Sequence, residues 1–510
     1  MILINSSPKD TLKAFQPFLP ISVPVGIGFL IAHAAHHDIK IHCIDEQVDP
    51  NALQSIIKVT STMNSPYIFG FSVLTSAMES AIALSRQLKK LYPSCYIMFG
   101  GIHPTAVPDE VLAYDHIDIV VRGEGEEPIV EFYNAIKNKK DYTHIKGISY
   151  KKDGKIIHNT RSSTPININT DILFPYYLFT NKKYDLGYVT SSRGCPYDCI
   201  FCSNRIATGK NYRYRPSTSI VSELKTLYYD HDITEVGFYD DNFLVNKSRI
   251  YELIHQIKKS GLHKHMTFSF QARADNVNPA LLQDLYDVGF HSIFFGIETA
   301  SASMMKTIKK GETVEQCIAA VHLAKKIGYH VSATFIYALP TDTHTTRMKC
   351  IELANALDLD LVRFNNATPY PGTELYDIAK KEKRLNIVDN YTNFSAVSTF
   401  IESPLHPTPF AYVPECNTEA KIRRDILYSY FAFYLNLNRL SKVFDKSEAN
   451  AGWFNIGKDA LAFIKNIPAL SFLCLTLSTK FIQLFYYCTL KPSTKISLKF
   501  FLSIFTGKIP

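Results

Sequence analysis

Cysteine is scarce: ten residues in a chain of 510. That is too few for a disulfide scaffold and points to a reducing cytoplasm. The first residues, "MILINSSPKD", lack the basic start of a secretory leader and read as a buried strand. No repeat with a period of about 20–50 residues and no low-complexity segment is present, which argues against a solenoid. Neither sign of charge dominates. Lys and Arg number 55 against 47 Asp and Glu, a net +8. An excess of this size suits an anionic small molecule or a membrane surface, and no nucleic-acid partner is expected. Gly-x-Gly-x-x-Gly does not follow the first strand pattern, which weakens a dinucleotide site. What is present is a globular composition, 46% apolar and 20% charged. The length calls for two or three domains.

Residues 1 to about 140 alternate short apolar runs with helical patterns, the βαβ signature of a parallel sheet. The strand candidates are "MILINS", "IKIHCID", "YIFGFSV", "CYIMFGG" and "IDIVVRG", with a helix over 76–91. Any ligand of such a sheet lies beyond the carboxyl ends of its strands. A hairpin pattern follows, turning at Asp153-Gly154, and 160–184 reads as a linker. A second α/β series starts at 186 with "LGYVTSS", "EVGFYDD", "MTFSFQA", "SIFFGIE", "VSATFIYA" and "LVRFNNA". Helices at 217–229 and 279–287 fall between them. Six such units predict a full or partial (β/α) barrel with its chemistry at the strand C-termini. Residues 415–510 carry no strand signal and read as helical.

"TSSRGCPYDCIFCSNR", residues 190–205, directly follows the first strand of that series and holds Cys195, Cys199 and Cys202. Thiolates on one loop converge on a soft metal centre. Zinc with three thiolates takes a histidine as its fourth ligand, but the next histidine is His231, beyond a predicted helix. A zinc knuckle or buried thiols are the alternatives. An iron–sulfur cubane held by three thiolates leaves one iron free for a small molecule.

Cys195-x3-Cys199-x-Phe201-Cys202 resembles the signature of the radical S-adenosylmethionine (SAM) superfamily. The resemblance implies that the three cysteines ligate a 4Fe–4S cluster. It implies that the free iron chelates the amino and carboxylate groups of SAM, with Phe201 near the adenine, and that SAM is cleaved to a 5′-deoxyadenosyl radical. "FYDDNF" stands where many members carry Gly-Gly-Glu, so Asp240 and Asp241 become the candidates for the SAM ammonium. "RADNV" nominates Arg273 for the SAM carboxylate; a surface salt bridge is the alternative. "GIETAS" nominates Glu298 for the ribose, against a carboxylate merely placed at a helix N-terminus. "FIYALPTDT" and "NNATPYPGTELY" resemble the fifth and sixth strand ends of the family.

"GFSVLTS" and "FGGIHPT" together resemble the cobalamin-binding domain family. The resemblance implies that Ser72, Leu74, Thr75, Gly100 and Gly101 line a pocket for the cofactor's nucleotide tail. A Rossmann-like module with an empty pocket is the alternative. The Asp-x-His-x-x-Gly of many such domains is missing from "PISVPVGIGFLIAHAAHH", residues 20–37. His33, His36 and His37 there are expected on a solvated helix face, with none bound to cobalt. "GEGEEPIVEFY", 123–133, and the run containing Gly26 and Gly28 also look familial.

The expected organisation is a cobalamin-binding Rossmann-like domain over 1–145, a hairpin and linker over 146–184, a partial (β/α)6 radical SAM barrel over 185–385 and a mostly helical extension over 386–510. The resemblance implies a methyltransferase acting on an unactivated carbon or a phosphinate, with a 4Fe–4S cluster, SAM and cobalamin. An oxidative cyclase or rearrangement enzyme is the alternative, and a non-catalytic sensor a further one. Methylthio transfer is disfavoured, because 1–150 contain only Cys43 and Cys95 and so no second cysteine triad. Expected partners are a small, apolar substrate and a reductant such as flavodoxin or ferredoxin. Residues 420–440 are basic and aromatic at helical spacing, which favours core packing. In 451–510, Lys458, Lys465, Lys480, Lys491, Lys495, Lys499 and Lys508 face one acid, Asp459. That balance predicts either an interfacial helix giving peripheral contact with the inner face of the membrane or a helical subdomain on the barrel.

Overall fold

The computed structural model describes residues 1–8, 21–161, 165–181, 183–403, 406–436, 439 and 460–506. In chain order the strands are β1 (Ile2–Asn5), β2 (Ile21–Ser22), β3 (His42–Asp45), β4 (Ile68–Ser72), β5 (Tyr96–Gly100), β6 (Ile119–Val121), β7 (Ile148–Lys152), β8 (Lys155–His158), β9 (Tyr184–Asp185), β10 (Tyr188–Val189), β11 (Ser192–Arg193), β12 (Arg213–Tyr214), β13 (Glu235–Phe238), β14 (Thr267–Ala272), β15 (Phe290–Glu298), β16 (His330–Tyr337) and β17 (Leu361–Asn366).

The first sheet has the order β3-β1-β4-β5-β6-β7-β8. Its first five strands are parallel. They are apolar on both faces because both are covered. Ile2, Ile4, Phe69, Phe71, Ile97 and Phe99 enter one core cluster, and Leu3, Ile68, Met98, Ile119 and Val121 the opposite one. The chain leaves β1 to one side for β3 and to the other for β4, so a crevice opens at the carboxyl ends of these strands. The hairpin differs from its expected place beside the linker. β7 pairs antiparallel with β6 and β8 with β7, which extends the sheet. Burial of Ile148 and Tyr150 in its core holds it there. Asp153 (φ +49°) and Gly154 (φ +71°) supply the two left-handed residues of the turn.

The second sheet runs β10-β13-β14-β15-β16-β17, parallel throughout and in chain order. Helices return the chain between strands: Ser217–His231, Lys247–Ser260, Pro279–Tyr286, Val314–Ile327 and His344–Ala356. Four start at side-chain caps, where Asn246, Asn278, Thr313 and Thr343 each accept a hydrogen bond from an amide three residues on. Phe268, Phe270, Ile293, Phe295, Val331, Ala333, Phe335, Val362 and Phe364 point to the core. The alternate positions Gly237, Ser269, Gln271, Ser292, Gly296, Thr334 and Asn365 are small or polar and half-buried. The concave side is therefore left as space, and the sheet forms a partial (β/α)6 barrel.

The helix Glu419–Tyr434 covers the β17 edge. Tyr434 Oη accepts from the Val362 amide at 3.0 Å and donates to the Val362 carbonyl at 2.8 Å. Tyr430 Oη accepts from the Phe364 amide at 3.2 Å. The aromatic spacing in 420–440 thus serves packing and capping of an edge strand. Of the basic tail residues, Lys458, Lys508 and the acid Asp459 lie outside the described residues. No helix among the described residues is long and apolar enough to cross a membrane.

Candidate active site

The cysteine loop leaves β10 and is pinned before Cys195 is reached. β11 pairs with β12, Ser192 opposite Tyr214 and Arg193 opposite Arg213. At Gly194 (φ +88°) a Cβ would come within 2.3 Å of the Asn211 carbonyl oxygen, so only glycine fits. Asp240 is fully buried and accepts from the Ser191 amide at 2.7 Å, the Ser192 amide at 3.0 Å and the Ser191 hydroxyl. Arg249 Nη2 lies 3.3 Å from it. Burial pushes all three cluster-candidate thiols up, Cys202 to about 11. At Cys199, Lys310 and Arg273 pull the other way, favouring the thiolate.

Those cations belong to a buried charge cluster at the strand ends. Arg273 Nη1 stands 3.9 Å from Cys199 Sγ, and its guanidinium carbon 3.6 Å from the Tyr197 ring centre. Asp275 holds Arg273 at 3.0 and 2.9 Å. Lys310 Nζ is 3.1 Å from Glu298 and 3.6 Å from Glu312. Burial opposes the Lys310 charge, but the two carboxylates outweigh it and raise its pKa. Glu298 takes a left-handed backbone (φ +65°) at the end of β15, an uncommon conformation that aims its side chain inward. Glu298 Oε2 and Glu312 Oε1 are buried without a hydrogen-bond partner.

A cavity of about 460 Å³ lies between the two sheets. The first sheet contributes Gly70, Ser72, Met98, Gly100 and Gly101 to its wall. The barrel contributes Thr190, Ser192, Arg193, Asn204, Tyr239 and Asp241. Gly101 (φ +101°) has the Val73 backbone 3.0 Å from where a Cβ would sit, and at Gly70 a Cβ would meet Leu3 at 2.6 Å. Arg193 crosses to the first domain, 2.6 Å from Glu126 and 3.1 Å from Glu124. Arg213 joins it, 2.9 Å from Glu124. The two acids of "GEGE" therefore form a clamp between the domains. Burial alone would raise Glu126, but Arg193 holds it below the usual carboxylate range.

The chain matches the radical SAM superfamily over residues 189–354 and the B12 binding domain over 18–133. It is 31% identical over 426 residues to an uncharacterized methyltransferase, PH0819, of Pyrococcus horikoshii, across 82% of this chain and 89% of that one. It is 24% identical over 410 residues to an anaerobic magnesium-protoporphyrin IX monomethyl ester cyclase of Cereibacter sphaeroides, across 77% of this chain and 64% of that one. Its fold is similar to the solved structure of the cobalamin-dependent SAM radical enzyme OxsB, with a TM-score of 0.68 at 16% identity, covering 97% of this chain and 73% of that one. The chain belongs to the radical SAM superfamily, in the branch with a B12-binding domain.

A radical SAM enzyme of this branch uses a 4Fe–4S cluster, SAM and cobalamin, and the residues present fit each. Three thiols on one loop beside two buried cations suit an anionic cluster. Among the described residues no group of three or more His, Cys, Asp or Glu is placed so that it could hold a single metal ion. A cubane asks less, since each thiolate meets a different iron. The buried Glu298 Oε2, without a hydrogen-bond partner, suits a hydroxyl or ammonium donor of SAM. Gly70, Gly100 and Gly101 put bare backbone in the cavity wall, which suits close approach of a bulky cofactor.

The structure sorts the candidate residues. Arg273 and Glu298 lie near Cys199, and Phe201, within the cysteine loop, packs half-buried against the barrel core. Asp241 faces the cavity and accepts from Asn204 at 2.7 Å; burial raises its pKa. Asp240 departs from the expectation of an ammonium partner, because its carboxylate braces Ser191, Ser192 and Arg249 behind the loop. Ser72, Gly100 and Gly101 reach the cavity, whereas Leu74 is exposed and Thr75 buried, both outside its wall. His36 and His37 are exposed as expected. His33 is not: it is buried, its Nε2 3.6 Å from Glu127, and burial lowers its pKa. Gly26 lines the cavity, while at Gly28 a Cβ would strike the Phe174 ring at 2.1 Å, so the second glycine docks the linker. Lys310 and Glu312 were not singled out by sequence, since a Lys-Gly-Glu in a loop has no local signature.

Proposed function

We propose that the protein is a cobalamin-dependent radical SAM methyltransferase acting on an unactivated carbon, or a phosphinate, of a small and largely apolar molecule. The observation that carries this reading is the joint wall of the cavity, with glycines of the B12-binding side facing Thr190, Ser192 and Asp241 of the barrel mouth. When bound, the three cofactors supply hydrogen abstraction and a transferable methyl group. The chain's own residues have other work. Cys195, Cys199 and Cys202 hold the cluster, and Arg273 and Lys310 balance thiolate charge beside Cys199. Asp241 receives the SAM ammonium, Arg273 its carboxylate and Glu298 a ribose hydroxyl; Phe201 lies near the adenine. Ser72, Gly100 and Gly101 receive the cobalamin tail. Thr334, Asn365 and Phe294, on the concave face of the barrel, meet the substrate. A one-electron donor such as flavodoxin or ferredoxin is the expected partner, and the C-terminal helices give peripheral membrane contact.

The relative at 31% identity carries a methyltransferase name over most of both chains, which favours methyl transfer. The cyclase relative at 24% supports oxidative cyclisation as a second reading. Anaerobic reconstitution followed by metal analysis and SAM turnover tests the proposal. Expected are cluster iron and sulfide, cobalt at one per chain, and SAM cleavage that Cys199→Ala abolishes. A product heavier by one methyl group supports transfer, and an unmethylated ring product overturns it for cyclisation. Cobalamin bound without any SAM cleavage would indicate a sensor. A zinc-loaded protein inert toward SAM would end the proposal.

A further inference from the structure

The helix Ala460–Phe485 exposes large apolar side chains and buries its charged one. Leu473, Thr476, Lys480 and Leu484 form its buried side. Lys480, the one charged residue between 472 and 490, is only 1% exposed and donates to the Thr399 carbonyl at 2.7 Å. Burial lowers its pKa to about 8. The outward side carries Phe472 (52% exposed), Leu475 (64%) and Ile482 (65%), at spacings of three and seven. Solvent thus meets large apolar side chains, and the cation that interrupts the sequence does not stand among them.

The segment that follows packs beside this helix, Phe501 against Phe481 and Phe485, and adds exposed residues of its own. Leu490, Leu498 and Leu502 are exposed, and so are Lys495 and Lys499, with Lys491 half-buried between them. Residues 472–506 contain no Asp or Glu. A second copy of the chain seated here would bring lysine against lysine with no acid to pair. An anionic surface pairs with them, and headgroup-level phosphates accept their hydrogen bonds. The helix is not long and apolar enough to cross a bilayer, so it would lie in the interface plane. None of these residues lines the inter-domain cavity, so lipid binding, which rests on the proposed peripheral membrane contact, is independent of which reaction the cavity performs.

We infer that the exposed face formed by 472–502 seats the protein on the surface of an anionic lipid bilayer, apolar side chains in the acyl boundary and Lys491, Lys495 and Lys499 at the phosphates. Such a surface would bring an apolar substrate within reach of the enzyme.

The test is co-sedimentation of the full-length protein with vesicles of phosphatidylcholine containing phosphatidylglycerol, and with phosphatidylcholine alone. Binding is expected to the anionic vesicles and to weaken with salt. Lys495→Ala and Lys499→Ala should each weaken it about fivefold, from about 1 kcal/mol per surface lysine. Leu475→Asp with Ile482→Asp should abolish it while the thermal melt and metal content stay unchanged. If the aspartate pair fails to fold, the lysine variants decide alone. Absence of wild-type binding, or binding indifferent to both variant sets, overturns the inference. A homodimer in light scattering that Ile482→Asp splits, without vesicle binding, overturns it in favour of self-association. SAM cleavage assayed on the same variants without vesicles reports separately on the proposed reaction.

Discussion

Arg193, two residues before Cys195, is held by Glu126 of the other domain at 2.6 Å, and both side chains are largely buried. The loop that carries the thiols is thereby fixed from the B12-binding side as well as from its own barrel. Glu126→Ala would leave a buried guanidinium with Glu124 alone. The expected cost is about 3–5 kcal/mol. Chemical denaturation should show the loss of stability, and iron analysis should show poorer cluster retention. Glu126→Gln, which keeps the shape and an acceptor, should cost less.

Gly101 tests the cobalamin side. Its left-handed backbone and the Val73 main chain 3.0 Å from a Cβ position make Gly101→Ala strained. A penalty of about 1–3 kcal/mol is expected from conformation alone. Cobalt content after reconstitution should fall, and iron content should stay. Equal loss of both metals would show that the variant disrupts the whole fold.

Asp425 sets an acid limit on stability. It is fully buried, 2.7 Å from Arg347, 2.7 Å from Arg424 and 3.0 Å from His344. Burial opposes its ionisation, but these partners outweigh it and hold its pKa at about 2. The folded value lies below the unfolded carboxylate value of about 3.9. Its contribution is therefore complete above pH of about 4 and is lost as pH falls toward about 2. Asp425→Asn should be less stable at neutral pH and should show a flatter pH dependence across that acid window, measured by urea unfolding.

Tyr430 and Tyr434 cap the covered edge of β17 through their hydroxyls. Each Tyr→Phe change leaves a strand amide without its partner and should cost about 1 kcal/mol. Hydrogen exchange at Val362 and Phe364 should accelerate in the matching variant only. Exchange unchanged at both amides would contradict the capping role.

Much of the site was legible because it is local. Three cysteines within eight positions of one loop carry their relationship in the spacing, and a strand pattern just before them places the loop at a barrel mouth. Alternating apolar runs and helices likewise announced two parallel sheets. Asp240 and Asp241 mark where this ends. Both are acids at the end of one strand, and only packing turns the first back to Ser191 and Arg249 and leaves the second facing the cavity. The hairpin was readable as a hairpin, but its membership of the first sheet depends on the free edge of β6.

The amino-acid order by itself determined the thiol triad, the periodicities and the excess of lysine in the tail, because each is a property of neighbours along the chain. Tertiary structure decided which side each residue faces: Lys310 reaches Glu298 and Glu312 reaches Arg273 and the Ala274 amide from a separate loop, His33 turns inward, and Lys480 hides while Ile482 stands in solvent. These outcomes are set by contacts between residues far apart in sequence, where burial and charge pairing compete and no spacing rule records the winner.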